Sequence, residues 1–301
     1  MIVPPPGIRS FSHRDFPVAT LAEAKGEVSV SVCLPAKNEA ATVGRIVATI
    51  HEELVAGVAI VDEILVLDDY SEDNTAEVAR SAGARVVHAG QVLPEHGRGK
   101  GKGEVLWKSL YAAIGEIVVW CDADIREFGS RFVSGTLGPM LLDPEIVFVK
   151  GHYRRPVEGS LGGGRVTELV ARPLLCLLFP ELADIVQPLS GEYGGRRAVL
   201  ERMPFAQGYG VDIGLLIDIV TDTGVRGIAQ VDLEVRHHRN RPLDQLAPQA
   251  MAIMQTVLQR ADPDLVKTVE TLMRPEHPHE IVDVSNRPPL IELDSYSPGR
   301  G

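Results

Sequence analysis

Apolar residues along the chain fall into two alternating arrangements. Short unbroken runs rich in Val, Ile and Leu are separated by stretches in which apolar residues recur every three or four positions. The first arrangement predicts buried strands, the second amphipathic helices. Val28 to Leu34 reads as a strand stopped by Pro35, and Ala40 to Leu54 as a helix. Ile64 to Leu67 is a second strand that runs into Asp68-Asp69. Ser71 is placed to cap a helix from Thr75 to Ala82, which Gly83 closes. Arg85 to His88 is a third strand and Glu104 to Ile114 a helix. Ile117 to Cys121 is a fourth strand, ending in Asp122 and Asp124. This alternation predicts an α/β fold with a doubly wound, mostly parallel sheet flanked by helices.

The second half is less regular. Phe132 to Leu142 reads as a helix and Ile146 to Lys150 as a strand. Arg154 to Gly164 is a loop ending in three glycines, followed by a helix from Arg165 to Leu178 that Pro173 interrupts. Leu189 to Tyr193 is a compact loop, and Gly208 to Asp212 opens a helix reaching about Thr221. Ile228 to Val235 is a strand that delivers Arg236-His237-His238-Arg239-Asn240-Arg241. Leu243 to Arg260 is a helical extension, and from Pro275 the chain loses periodicity, as in an extended tail or a dimer arm.

Ligands of open α/β sheets sit outside the carboxyl ends of the strands. Asp122 and Asp124 would emerge there, with Ala123 turned away. Two acids one residue apart at a strand end suit a hard divalent cation such as Mg2+ or Mn2+; the same pattern also occurs as a solvated turn. The first strand lacks the G-x-G-x-x-G of dinucleotide dehydrogenases, and Gly97 to Gly103 lacks the Gly-Lys-Ser/Thr of a P-loop. Its glycines alternate with Arg98, Lys100 and Lys102, which suits either a mobile phosphate-facing lid or a solvated loop. Gly162 to Gly164 opening a helix with Arg165 and Thr167 suggests an anion site, a plain glycine linker being the alternative.

The formal net charge of −11 argues against a nucleic-acid or membrane-surface partner, although the cations are clustered. No apolar run approaches the length of a membrane span, and no signal pattern opens the chain. Cys33, Cys121 and Cys176 lie in separate apolar runs and read as core residues of a cytoplasmic protein.

Several segments together resemble the glucosyl-3-phosphoglycerate and mannosyl-3-phosphoglycerate synthases, retaining glycosyltransferases of the GT-A fold. They are Leu34-Pro-Ala-Lys-Asn-Glu39, Gly101-Lys-Gly-Glu104, Asp122-Ala-Asp124, Gly163-Gly-Arg-Val-Thr-Glu-Leu-Val-Ala-Arg-Pro173, Gln187-Pro-Leu-Ser-Gly-Glu-Tyr193, Gly208-Tyr-Gly-Val-Asp-Ile-Gly214 and His238-Arg-Asn-Arg-Pro-Leu243, with a weaker echo at Arg287-Pro288-Pro289. The resemblance implies a GT-A domain over residues 28–242, with a nucleotide-sugar half over 28–124 and an acceptor half over 125–242. A lead-in over 1–27 and an extension over 243–301 flank it. It implies that Pro35, Ala36, Lys37, Glu39, Asp69, Lys102, Asp122 and Ala123 hold the donor. Gly164, Arg165, Thr167, Leu189, Gly191 and Asn240 would hold 3-phosphoglycerate, and Asp124 and His238 the metal. Lys102, Asp124 and Asp212 would act on the reacting groups. The family pattern has Ser where Ala123 stands, Ser near Asp69 and Glu where Asp212 stands. The implied reaction moves glucose from UDP-glucose to the 2-hydroxyl of 3-phosphoglycerate, in a homodimer; the alternative is mannose from GDP-mannose.

Overall fold

The computed structural model describes residues 7–154, 164–236, 243–264, 271–275 and 277–298. The strands up to Val235 are β1 (Arg9–Ser12), β2 (Val30–Ala36), β3 (Glu63–Asp68), β4 (Arg85–His88), β5 (Ile117–Trp120), β6 (Phe148–Arg154), β7 (Tyr193–Arg196), β8 (Phe205–Ala206) and β9 (Ile228–Val235). Eight of them form one sheet in the order β1-β9-β6-β7-β5-β2-β3-β4. β7 runs antiparallel to both its neighbours, and every other pair is parallel.

The near-continuous apolar runs of β2, β3 and β5 follow from burial on both faces. Successive side chains point to opposite sides. Val30, Val32 and Leu34 therefore join Ile64, Val66, Ile117 and Val119 in one core layer. Cys33 joins Leu65, Leu67, Val118 and Trp120 in the other. The first layer is closed by the helices Val43–Ile50 and Arg131–Leu142, the second by Gly101–Ala112 and Val211–Thr223.

Several expectations are corrected. Pro35 does not stop β2, which continues to Ala36. Pairing with β5 ends at Cys33 opposite Trp120, so Pro35 faces β3 alone and its missing N–H costs no ladder bond. Ser71 does not cap the helix Thr75–Ser81; its hydroxyl accepts the Asn38 N–H at 3.0 Å, and Asp73 accepts the Thr75 N–H instead. The helix predicted to begin at Glu104 begins at Gly101. The short glycine-rich β7 carried no strand signal in sequence. Cys33 and Cys121 are buried, but Cys176 is exposed, because the helix Arg172–Leu178 buries only Leu175 among its residues.

The segment after Pro275 is extended but returns onto its own chain. Asn286–Arg287 pairs antiparallel with β8, and Leu290, Leu293 and Tyr296 enter the same core layer as Trp107 and Trp120.

Candidate active site

Because β7 alone is reversed, its start lies at the same sheet edge as the ends of β2, β3, β5, β6 and β9. That edge collects the residues just outside the strands. Asp122 and Asp124 follow β5, Arg236 follows β9, Glu192 precedes β7 and Tyr153 is near the end of β6.

Arg236 is buried and its guanidinium is shared. Nη1 donates to Asp122 Oδ2 at 3.0 Å, Glu192 Oε1 at 2.5 Å and Tyr153 Oη at 2.9 Å. Nη2 donates to Asp124 Oδ1 at 2.6 Å. From the first turn of the helix Gly101–Ala112, Lys102 Nζ lies 3.1 Å from Asp122 Oδ1 and 3.3 Å from Asp212 Oδ1. Asp122 is thus clamped between two cations. Gly191 is required beside it, since a Cβ there would collide with the Asp122 carboxylate.

The electrostatics follow from this crowding. Burial would raise the Asp122 carboxyl, but Lys102 and Arg236 hold it well below the usual carboxylate range. Burial would lower the Lys102 amine, yet Asp122, Asp212 and Glu192 keep it charged. Burial pushes the Glu192 carboxyl up against the pull of Arg236, with the charge of Asp122 adding to the rise. Glu39 is likewise raised, by burial and then by Asp124. Beneath this layer, Lys150 Nζ donates to the carbonyls of Ser190 at 3.0 Å and Asp212 at 3.4 Å, and lies 4.0 Å from the Tyr193 ring centroid. Burial, reinforced by the charge of Lys102, drops its pKa to about 8 despite the nearby acids. The buried Ser190 Oγ, Glu192 Oε2 and Arg236 Nε find no hydrogen-bond partner among the described residues. Unmet buried polar atoms gathered at one sheet edge are what a polar ligand satisfies.

The other residues singled out in the sequence are placed as follows. Pro35 and Ala36 end β2, and the Ala36 carbonyl accepts the Asp69 N–H at 2.8 Å. Lys37 Nζ is 3.7 Å from Asp69 Oδ2. Ala123 is buried and its carbonyl accepts from Thr42 Oγ1 at 2.7 Å. Gly164, Arg165 and Thr167 open the turn before the helix Arg172–Leu178, with Thr167 buried and Arg165 exposed. Leu189 lies in the loop leading to Gly191 and is half-buried. His238 and Asn240 lie outside the described residues. Sequence reasoning gave no role to Glu192, Tyr153 or Lys150, and saw Arg236 only as one cation among several. The available signal was the position of each at or beside a strand end.

The expected lid is also anchored more firmly than its composition implied. The Gly99 N–H donates to Glu104 Oε1 at 3.1 Å, and the Lys100 N–H to Gln207 Oε1 at 2.8 Å. The Arg98 guanidinium stacks 3.7 Å from the Tyr70 ring centroid.

A hard divalent cation takes oxygen ligands and retains open positions for phosphate. Asp124 has a carboxylate of that kind, with a side chain 48% exposed at the mouth of the site. On the same edge the Glu39 carboxyl is raised by burial first and then by the charge of Asp124. Among the described residues no group of three or more His, Cys, Asp or Glu side chains forms a closed cage. This donor set fits Mg2+ or Mn2+ as an ion that shares its coordination with a phosphate-bearing substrate.

Residues 31–159 match the model of glycosyl transferase family 2. The chain is 44% identical to the glucosyl-3-phosphoglycerate synthase of Petrotoga mobilis, over 96% of this chain and 95% of that protein. It is 50% identical to the glucosyl-3-phosphoglycerate synthase of Mycolicibacterium smegmatis, over 83% and 84% respectively. The crystal structure of the Mycobacterium tuberculosis glucosyl-3-phosphoglycerate synthase, in complex with Mn2+, UDP-glucose and phosphoglyceric acid, matches with a TM-score of 0.85 and 44% identity, over 94% of this chain and 98% of that one. The mannosyl-3-phosphoglycerate synthase of Rubrobacter xylanophilus matches with a TM-score of 0.87 and 37% identity, over 95% and 97%. The mostly parallel sheet with its one reversed strand is therefore a GT-A fold, and the chain belongs to the glucosyl-3-phosphoglycerate synthase family within glycosyl transferase family 2.

Proposed function

We propose that this protein is a metal-dependent retaining hexosyltransferase that moves glucose from UDP-glucose to the 2-hydroxyl of 3-phosphoglycerate. The observation that carries the reading is the clamp on Asp122, in which Lys102 and Arg236 place two fixed cations at the mouth of the sheet. Pro35, Ala36, Lys37, Glu39 and Asp69 line the exits of β2 and β3 and take the base and ribose, with Asp122 and Ala123 beyond them. Lys102 faces the diphosphate. Gly164, Arg165 and Thr167, with Leu189, Gly191 and Asn240, take the phosphate and carboxylate of the acceptor. When bound, Mg2+ or Mn2+, held by Asp124 and His238, supplies positive charge that offsets the charge gathering on the departing diphosphate.

The chain's own residues supply the rest. Lys102 stays protonated in its acidic surroundings, so it offers a preorganised cation to the leaving group without reorganisation. Asp212, in the first turn of the helix Val211–Thr223, orients the sugar and is itself fixed by Lys102. The bond from the anomeric carbon to the diphosphate breaks as the bond to the acceptor oxygen forms on the same face. The acceptor proton passes to a diphosphate oxygen.

A panel of UDP-glucose, GDP-glucose, UDP-mannose and GDP-mannose, each with 3-phosphoglycerate and Mg2+ or Mn2+, tests this. UDP-glucose should give the highest kcat/KM. The likeness to a mannosyl synthase supports one competing outcome: product from GDP-mannose alone would reassign the donor. No product from any pair would overturn the reading. A cytoplasmic setting is supported by the free thiols. A homodimer is supported by the outward apolar residues Leu169 and Leu177, both more than 70% exposed, and sedimentation tests it.

A further inference from the structure

Arg287 belongs to the short Arg-Pro-Pro echo noted in the sequence, far along the chain from every residue of the site. Its guanidinium nevertheless reaches the turn that carries Lys102. Nε donates to Glu104 Oε2 at 2.5 Å and Nη2 to Glu104 Oε1 at 3.2 Å. Nη1 donates to the His96 carbonyl at 2.8 Å, and Nη2 to the Gly97 carbonyl at 3.4 Å. Glu104 is buried and is also paired with Lys108 at 3.0 Å. Its other bond, from the Gly99 N–H, ties the turn to the helix.

The same C-terminal segment acts a second time through Gln207. The Gln207 N–H donates to the Ser285 carbonyl at 2.9 Å, and its Nε2 to Ser285 Oγ at 2.7 Å. That leaves Gln207 Oε1 aimed at the Lys100 N–H. The Gly208 N–H in turn donates to the Lys100 carbonyl at 2.9 Å. The turn is thus gripped on both sides of Lys100, two residues before Lys102. A Cβ on Gly103 would strike the Ala206 carbonyl, and one on Gly101 would fall 2.8 Å from Gly208 Cα. The helix start has no slack against this support.

We propose that Arg287 is a positioning residue for the donor. Through Glu104 and the His96 and Gly97 carbonyls, the C-terminal strap sets where Lys102 presents its amine to the nucleotide diphosphate. The proposal rests on the assignment of Lys102 to that diphosphate. A cation displaced by a fraction of its bond length loses much of its effect on a fixed phosphate. A fork of planar donors that matches one carboxylate and two carbonyls fixes the turn more tightly than a single ammonium does.

UDP binding in the presence of Mn2+, measured by calorimetry, tests this in the wild type, Arg287→Ala, Lys102→Ala and the double variant. Arg287→Ala should weaken UDP binding by about tenfold and raise the donor KM in step. The KM for 3-phosphoglycerate should stay unchanged. With Lys102→Ala already present, the Arg287 substitution should add less than about twofold, because residues that act through one another are not additive. Equal losses in both backgrounds, or no loss in Arg287→Ala while Lys102→Ala binds poorly, would overturn the proposal. Wild-type UDP affinity in Lys102→Ala would remove the assignment it rests on, and the proposal with it. If Arg287→Ala does not fold, Arg287→Lys keeps the charge beside Glu104 but not the fork. It should weaken UDP binding by about threefold, only while Lys102 is intact, and unchanged binding there would equally overturn the proposal.

Discussion

Asp124 and Asp122 stand one residue apart, yet their surroundings set them to different tasks. Asp122 is clamped by Lys102 and Arg236, so removing it would leave a half-buried and a buried cation short of a counter-charge. Asp124 touches Arg236 through one oxygen and is 48% exposed, so its loss should cost the fold little. Asp124→Ala is expected to retain the wild-type melting temperature within about 2 °C, since Arg236 keeps Asp122 and Glu192 as counter-charges and the exposed end of the pair contributes little. It should at the same time lose the Mn2+ signal bound in the presence of UDP by electron paramagnetic resonance. Undiminished Mn2+ binding would remove Asp124 from the metal site. The two acids were legible in the sequence because an apolar run ended on them abruptly. Arg236 was not, because in sequence it is one of a run of cations and only the geometry shows that it turns inward. Glu192 was hidden for the opposite reason: a charged residue in a Ser-Gly-Glu-Tyr loop looks solvated, and here it is fully buried against Arg236.

Between elements, Lys150 acts as a cross-brace. From the middle of β6 it joins the loop before β7 to the first turn of the helix Val211–Thr223, through the carbonyls of Ser190 and Asp212. Its pKa falls from the ordinary value of 10.5 to about 8 through burial. The unfolded chain then binds the proton more tightly than the folded one. The cost to stability is complete below about pH 8 and is relieved as the pH rises towards 10.5, a difference of about 3 kcal/mol. Relative to Lys150→Met, the wild type should therefore gain stability across that window in chemical denaturation and run level below it. A constant offset from pH 7 to 10.5 would contradict this. At this scale the sequence was a good guide where a run was uniform: β4 and β9 fall where the apolar pattern put them. It failed where tertiary contact decides. The helix at Gly101 begins inside a Gly-Lys-Gly run of poor helix propensity, because β8 and the residues after it pack against that turn.

For the whole molecule, the C-terminal segment is part of the core rather than an appendage. Leu290 is fully buried, Leu293 and Tyr296 nearly so, and the Trp107 indole N–H donates to the Pro288 carbonyl at 2.8 Å. Each large apolar side chain buried contributes about 1.5–3 kcal/mol. A chain cut after Val282 should thus lose several kcal/mol of the roughly 5–15 available to a domain, visible as a large fall in the urea midpoint. A truncated chain with the wild-type midpoint would show that the segment is dispensable to folding. Loss of periodicity had suggested an extended tail or a dimer arm, because isolated anchors separated by prolines leave no helical or strand rhythm to read.

The pairing of β1 with β9 has a consequence for synthesis. Ser10 lies opposite Gln230, and the Gln230 amide donates to the Ser10 hydroxyl across 220 residues of chain. Ribosomes add about 5–20 residues per second, so β1 waits roughly 10–45 s for its partner to leave the exit tunnel. During that interval it is an unpaired strand that any neighbouring nascent chain can template. Its four residues are Arg-Ser-Phe-Ser, short, polar and carrying one aromatic. The composition that makes β1 a weak strand also keeps it from the wrong partner while it waits.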